Sequence, residues 1–267
     1  MRTRRTRNAI GIVAIVAAAF ASIASADTGN DAEVIGGDNS SGTTAVAFDP
    51  DNPSGSAGST GGESGSTDPG DAEELTTEAG ITSGVDSIGG EHTSAGALVT
   101  NPNASLAAYD VEVLFNLVSA DGTVLASEGE SVPYIPAFST VPVGASDLLG
   151  NGVAAASVEV TVTGSFAEDS GWDGVDFLFG DGIDLEVADA AATTGSTGPE
   201  LTAQVTNPSD SVAESAFVTC VLKNGGAIVG GEQTGVGNRI PPGATVALNT
   251  FMFLDIPVDE VICRAYA

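Results

Sequence analysis

From about residue 81 onward, apolar and polar residues alternate in short runs. Across Tyr109–Leu117 the odd positions are Tyr109, Val111, Val113, Phe115 and Leu117, and the even ones include Asp110, Glu112 and Asn116. A period of two places one face in a core and the other in water, so the run predicts a strand that buries all five odd side chains together. Val158, Val160 and Val162 alternate in the same way with Glu159, Thr161 and Thr163. Asp121-Gly122, followed by Thr123–Ala126, predicts a hairpin. Asn224-Gly225 predicts another between Phe217–Leu222 and Ala227–Val229. Pro133, Pro136, Pro142, Pro241 and Pro242 are expected between strands, where a missing amide proton does no harm. No twelve-residue window beyond the N-terminus shows helical apolar spacing uninterrupted by Gly or Pro. Short strands and frequent turns predict an all-β chain built of antiparallel sandwiches.

The pattern repeats. Leu98-Val99-Thr100-Asn101-Pro102 returns as Gln204-Val205-Thr206-Asn207-Pro208. Ile135-Pro136-Ala137-Phe138-Ser139-Thr140-Val141 returns as Ile240-Pro241-Pro242-Gly243-Ala244-Thr245-Val246. Val158–Val162 corresponds to Val261–Ala265. Three anchors in one order at a nearly constant offset imply two copies of one small domain, because the period is too long for a solenoid.

The first residues read differently. Arg2, Arg4, Arg5 and Arg7 precede an apolar run from Ala9 to Ile23, and Ala24-Ser25-Ala26 ends it ahead of Asp27. This is the three-part secretory pattern, with cleavage expected between Ala26 and Asp27; a retained signal anchor is the alternative. Residues 27–80 are dominated by Gly, Ser, Thr, Asp and Glu. Such a stretch cannot bury enough apolar surface to offset its ordering entropy and is expected to be a disordered acidic tether. The expected organisation is therefore a signal peptide at 1–26, a linker at 27–80, a first sandwich at 81–167, an acidic connector at 168–182 and a second sandwich at 183–267.

Each copy runs through a strand ending in Val-x-Asn, a long alternating strand, a glycine turn, a return strand, then Ile-Pro and a Thr-Val strand. This order resembles the FxLYD domain, a small immunoglobulin- or fibronectin-III-like sandwich of exported prokaryotic proteins. Phe115-Asn116-Leu117 stands in the F-x-L place and Gly122 in the glycine place, while Val118 and Ser119 replace the family's Tyr and Asp. The second copy has Thr219-Cys220-Val221 there, but its Ile240-Pro241-Pro242-Gly243 fits the family's turn. The resemblance implies a fold and carries no catalytic residues with it.

The two cysteines, Cys220 and Cys263, share apolar faces with Val218 and Leu222 and with Val261 and Ala265. In an exported chain they are expected to form a disulfide in the second core, worth at most about 4 kcal/mol in the chain-entropy model.

Charge narrows the partners. The chain has 36 acids and 7 bases; beyond Ala26 only Lys223, Arg239 and Arg264 remain, giving a formal charge of −33 there. So negative a surface repels phosphate, which excludes nucleic acid and disfavours anionic lipid. Eight acids lie in 168–189. One reading is a Ca²⁺ site built from Asp169, Asp173, Asp176, Asp181 and Asp184, since hard cations take several oxygen ligands. The other is an acidic connector whose apolar residues pack on the sandwiches, with no cofactor. Trp172 has the same two readings, a sugar platform or partly buried structure. Asn103-Ala104-Ser105 is a glycosylation sequon if the host glycosylates.

Catalysis finds little support. His92, the single histidine, sits in a Gly- and Ser-rich stretch expected to be a solvated loop. No G-x-S-x-G elbow or G-x-x-x-x-G-K-[ST] loop occurs. The sequence is thus read as a monomeric, secreted or envelope-located, non-catalytic module that binds a protein or glycan partner. No membrane span is expected after signal cleavage. A Ca²⁺-dependent ligand-binding module is the alternative, and an enzyme the third reading.

Overall fold

The computed structural model describes residues 72–267, apart from 86–89, 149–152, 175, 178–179, 195–197 and 238. The signal segment, the Ala26–Asp27 cleavage point and the tether up to residue 71 lie outside the described residues.

Strand β1 (Thr76–Val85) begins inside the stretch expected to be disordered. Its order comes from pairing rather than composition. It lies antiparallel to β2 (Glu91–Thr100) along its whole length, from Thr76 opposite Thr100 to Val85 opposite Glu91. Leu75, just ahead of it, is fully buried. One apolar anchor and an unbroken backbone ladder suffice where a composition average over 27–80 sees only polar residues.

The sheet β1-β2-β5 is completed by β5 (Thr140–Leu148). It covers a second sheet, in which β3 (Leu106–Val118) lies between β4 (Val124–Ile135) and β6 (Ser157–Glu168). Val99, Val113, Phe115, Leu117, Val143 and Val160 fill the space between them. Burying each such side chain contributes roughly 1.5–3 kcal/mol.

The alternation along β3 breaks at one point. Val111 to Leu117 enter this core, but Tyr109 joins a separate cluster with Ala107 and Tyr134. The expectation that Tyr109 shares the Val111 face is therefore incorrect. Asp110 adopts φ 50°, and the register against β6 shifts between Tyr109 and Glu112. This β-bulge inserts a residue and reverses the phase of everything before it. Two prolines also depart from expectation: Pro133 lies within β4 and Pro142 within β5. Both strands are sheet edges, where a missing N–H leaves no ladder bond unmade.

After β6 come a 3-10 turn at Gly171–Gly174 and a two-strand hairpin, β7 (Asp176–Phe177) and β8 (Gly180–Asp181). Strands β9 (Asp184–Thr194), β10 (Pro199–Thr206) and β13 (Thr245–Phe251) then face β12 (Ala227–Gly235), β11 (Phe217–Asn224) and β14 (Glu260–Tyr266). At its start β9 pairs with β14 and then crosses to β10, so the hydrogen bonding runs continuously through all six strands. Leu201, Val205, Val218, Leu222, Ile240 and Leu248 form a second core. Gly225 and Gly226, at φ 58° and 83°, make the tight turn between β11 and β12. Cys220 and Cys263 are joined by a disulfide between register neighbours on β11 and β14, with Cys220 wholly buried.

The sequence repeat corresponds to a shared structural device. Asn101 and Asn207 are both fully buried. Asn101 Nδ2 donates to the Leu106, Ile135 and Pro136 carbonyls at 2.8, 3.3 and 3.0 Å. Asn207 Nδ2 donates to Ser211 O and Ile240 O at 2.8 and 2.9 Å. Their Oδ1 atoms accept from the backbone N–H two residues on, at Asn103 and Ser209. Beside each, a threonine pair meets across the strands, Thr100 with Thr140 and Thr206 with Thr245, each at 2.8 Å. Each Asn ties its turn to the Ile-Pro corner by donating its buried amide to carbonyls of both. Asn103, the sequon asparagine, is itself buried and donates its amide to Glu73 O and Asn101 Oδ1, both at 2.8 Å. Its nitrogen is committed to the fold.

The outer face of β1-β2-β5 packs directly on β12 and β11. Gly80, Gly96 and Gly144 stand opposite one another across the three strands. A Cβ would lie 2.0 Å from Ile228 O at Gly80, 2.2 Å from Gly230 O at Gly96, and 2.3 Å from Glu232 N at Gly144. Only glycine lets the backbones approach so closely. Ser94 Oγ donates to Gly231 O at 2.8 Å and accepts from Gly231 N at 2.9 Å. Gly144 N donates to Thr219 Oγ1 at 2.8 Å, and Thr82 Oγ1 to Val229 O at 2.6 Å. The two sandwiches are thus held face to face by this seam as well as by the connector.

Candidate binding surface

From the last residue of β13 the chain runs as Phe251-Met252-Phe253-Leu254-Asp255-Ile256 with alternating burial. Met252, Leu254 and Ile256 enter the second core, whereas Phe251 and Phe253 remain 46% and 37% exposed. The two rings meet edge to face at 5.8 Å. His92 stacks on Phe253 at 4.5 Å, with the ring planes 15° apart. His92 is therefore a residue of β2, opposite Gly84, and not a loop histidine. Beyond it Val85 and Val153 border the same cleft, 62% and 49% exposed. An apolar strip thus runs from Phe251 on the second sandwich over the seam to Val85 on the first. Its two halves adjoin because the glycine row lets β2 and β12 pack closely.

Acids border the strip. Glu200 stands opposite Phe251 across β10 and β13, and its Oε2 accepts from Asn249 Nδ2 at 3.3 Å. Asp255 Oδ1 accepts from Thr194 Oγ1 at 3.3 Å. The clefts beside His92 have volumes of about 10 and 50 Å³. Small-molecule sites need roughly 300 Å³ or more, so what this region offers is a surface.

The acidic junction is arranged for other ends. The Asp169 carboxylate accepts from Tyr134 Oη, from Ala137 N at 2.9 Å and from Gly171 N at 3.0 Å. Partial burial opposes its ionisation, but these three bonds outweigh that and hold its pKa below the ordinary carboxylate value. Tyr134 is pushed upward, first by burial and then by Asp169. Asp184 lies 3.5 Å from Arg264 Nε. Asp176 and Asp181 are register partners on β7 and β8, and Asp173 lies in the 3-10 turn. Asp169 and Asp184 are therefore engaged by different groups, a tyrosine with two backbone amides and an arginine. No set of three or more His, Cys, Asp or Glu residues gathers to hold a metal among the described residues.

Trp172 packs at the same junction. It lies edge-on to Tyr134 at 5.2 Å and 6.5 Å from Tyr266, with the Arg264 guanidinium 5.5 Å over its ring. Arg264 Nη1 also donates to Tyr134 O at 3.3 Å, and Tyr266 Oη to Ser131 O at 2.9 Å. This aromatic group links the two sandwiches beside the connector, and a ring face that a sugar would use is covered by Arg264.

Phe251 and Phe253 carry no signal legible in the sequence. Every residue from Phe251 to Leu254 is apolar, so alternation cannot reveal which are outside. Among the described residues no helix is long and apolar enough to cross a membrane. Compared with known proteins, the chain matches no protein-family model and no curated sequence, so the FxLYD resemblance rests on the core and turn residues quoted above.

Proposed function

We propose that the chain is an exported, non-catalytic module of tandem immunoglobulin-like sandwiches that binds a partner outside the cell or at its envelope. The observation that carries this reading is the Phe251–Phe253–His92 strip, an apolar line left in water across two separately cored sandwiches. Contiguous exposed apolar surface of this kind marks interaction sites. Export is supported by the three-part N-terminus and by the disulfide, which suits an oxidising compartment.

The test is fractionation of producing cells expressing the full chain or Phe251→Ser/Phe253→Ser. The exported product is expected to begin at Asp27 and to be retained by a partner, with retention lost in the double variant. A chain kept inside the cell, or retention indifferent to both phenylalanines, would overturn the proposal.

A further inference from the structure

The cleft bordered by Val85 and Val153 contains a carboxylate that the fold does not answer. Glu91 opens β2 opposite Val85 and is half-buried. Its Oε2 is shut off from solvent and has no hydrogen-bond partner. Among the described residues Thr77 Oγ1 and Gln233 Oε1 share that condition, but both belong to neutral groups. A carboxylate withdrawn from water unpaired costs far more than either. The hydroxyls lining the same cleft are committed. Ser83 Oγ donates to Ala155 O at 3.3 Å, which leaves Thr93 Oγ1 to donate to Ser83 Oγ at 2.8 Å. No base is at hand either. None stands in 83–93 or 149–155. Arg239 and Arg264 pair with Glu214 and Asp184, and Lys223 stands opposite Glu260 on β14.

The answering group has to come from outside, and the cleft limits its kind. Its volume is about 50 Å³, room for the end of a chain. Val85, Val153 and Ala154 give it an apolar border. A divalent metal needs several hard ligands, and no set of three or more His, Cys, Asp or Glu residues gathers among the described residues. A guanidinium forks onto both oxygens of a carboxylate, and Oε2 is closed to it. A primary ammonium is a compact charge on a hydrocarbon stem, and one oxygen suffices for it. We infer that this cleft takes the end of a primary alkylammonium chain, with the charge on the Glu91 carboxylate and the methylenes against Val85 and Val153. A lysine side chain of a partner and a free amine present the same chemistry. The site needs neither Phe251 nor Phe253, so it stands or falls apart from the partner-binding reading.

The experiment records amide nitrogen–proton correlation spectra of the mature chain during titration with n-butylammonium chloride, tetramethylammonium chloride or n-butanol, at ionic strength held constant with NaCl. Butylammonium is expected to shift the amides of 83–85, 91–93 and 153–154 saturably, with a dissociation constant on the order of millimolar. Tetramethylammonium has no N–H to donate and butanol no charge, so both should bind at least about tenfold more weakly. Glu91→Gln should weaken butylammonium by about tenfold or more. Glu159→Gln, the same loss of charge at an exposed place on β6, should leave it unchanged. Val85→Ser/Val153→Ser, both at exposed positions, should weaken it about threefold or more and serves if Glu91→Gln fails to fold. An acetylated and amidated Gly-Lys-Gly peptide separates the sources: binding as tight as butylammonium assigns the cleft to a partner's lysine, and weaker binding to a free amine. Shifts that never saturate, that match those of tetramethylammonium, or that survive Glu91→Gln would reduce the effect to diffuse attraction by a negative surface and overturn the inference. So would the absence of any shift, which would leave the cleft to water.

Discussion

Replacing Gly96 with alanine tests the glycine seam most directly. The added Cβ would sit 2.2 Å from Gly230 O and 2.9 Å from its carbonyl carbon, both backbone atoms that cannot swing aside. Reaching ordinary contact requires the sheets to part by about 1 Å. That displacement stretches the paired Ser94–Gly231 hydrogen bonds, now 2.8 and 2.9 Å, beyond useful length. Overpacking costs roughly 1–3 kcal/mol, and each lost bond roughly 0.5–1.5 kcal/mol. Against this, alanine stiffens the unfolded chain by about 0.4–1 kcal/mol, a gain open to it because Gly96 is not among the positive-φ glycines. A net loss of about 2–4 kcal/mol is expected. The internal control is Gly129→Ala on β4, where the nearest atom to the new Cβ is Glu112 Oε1 at 3.4 Å. That change should be neutral or slightly stabilising. The assay is urea unfolding of both variants, followed by far-ultraviolet circular dichroism and by Trp172 fluorescence. Equal midpoints for the two variants would refute the reasoning, because the same residue change would then be insensitive to the approach of β12.

Three further outcomes are expected. Asn207→Ala removes the bonds to Ser211 O and Ile240 O and those that Oδ1 accepts from Ser209, in a wholly buried position; a loss of about 2–4 kcal/mol is expected by thermal or urea unfolding, and a change under about 0.5 kcal/mol would contradict the clamp. Glu130, opposite Val113, is raised from 4.5 to about 7 by burial first and Glu128 second. The folded chain therefore holds this proton through a range where the unfolded chain has released it, so stability falls as pH rises from 4.5 to about 7. The fall is at most about 3 kcal/mol, and smaller because solvent still reaches the group; Glu130→Gln should remove it, and an unchanged pH profile would count against the assignment. Phe138, 73% exposed at φ 50°, occupies the place that Gly243 takes at φ 67° in the second copy. Phe138→Gly should raise stability by about 0.5–1 kcal/mol, the relief of the left-handed conformation less the entropy of glycine, and a lower melting temperature would refute the strain.

Much of the scaffold is legible without coordinates because it depends on near neighbours in sequence. Alternation at Val111–Leu117 and Val158–Val162 reports directly which side chains face a core. The bulge at Asp110 was not legible, because Tyr109 keeps the right parity and only a backbone φ betrays the phase change. The start of β1 is hidden for a related reason: polar residues of 76–80 are ordered by hydrogen bonds to β2, to which composition is blind. The Asn-Pro motif was visible as a repeat, but its role depends on where the Ile-Pro corner arrives, more than thirty residues later.

What the sequence by itself determined is the all-β class, the repeated pattern and the strongly negative charge, all set by local periodicity and composition. What only the tertiary structure decided is the relation between the two cores and the surface made from both. Gly80, Gly96 and Gly144 are scattered among 35 glycines, and nothing local distinguishes them. They become a row only when three strands pair in register, and a seam only when β12 lies against that row. The same packing brings His92 onto Phe253, residues 161 positions apart in the chain. Contacts at such separation are chosen by the free energy of the whole packed arrangement, so a reading that proceeds along the chain cannot place them.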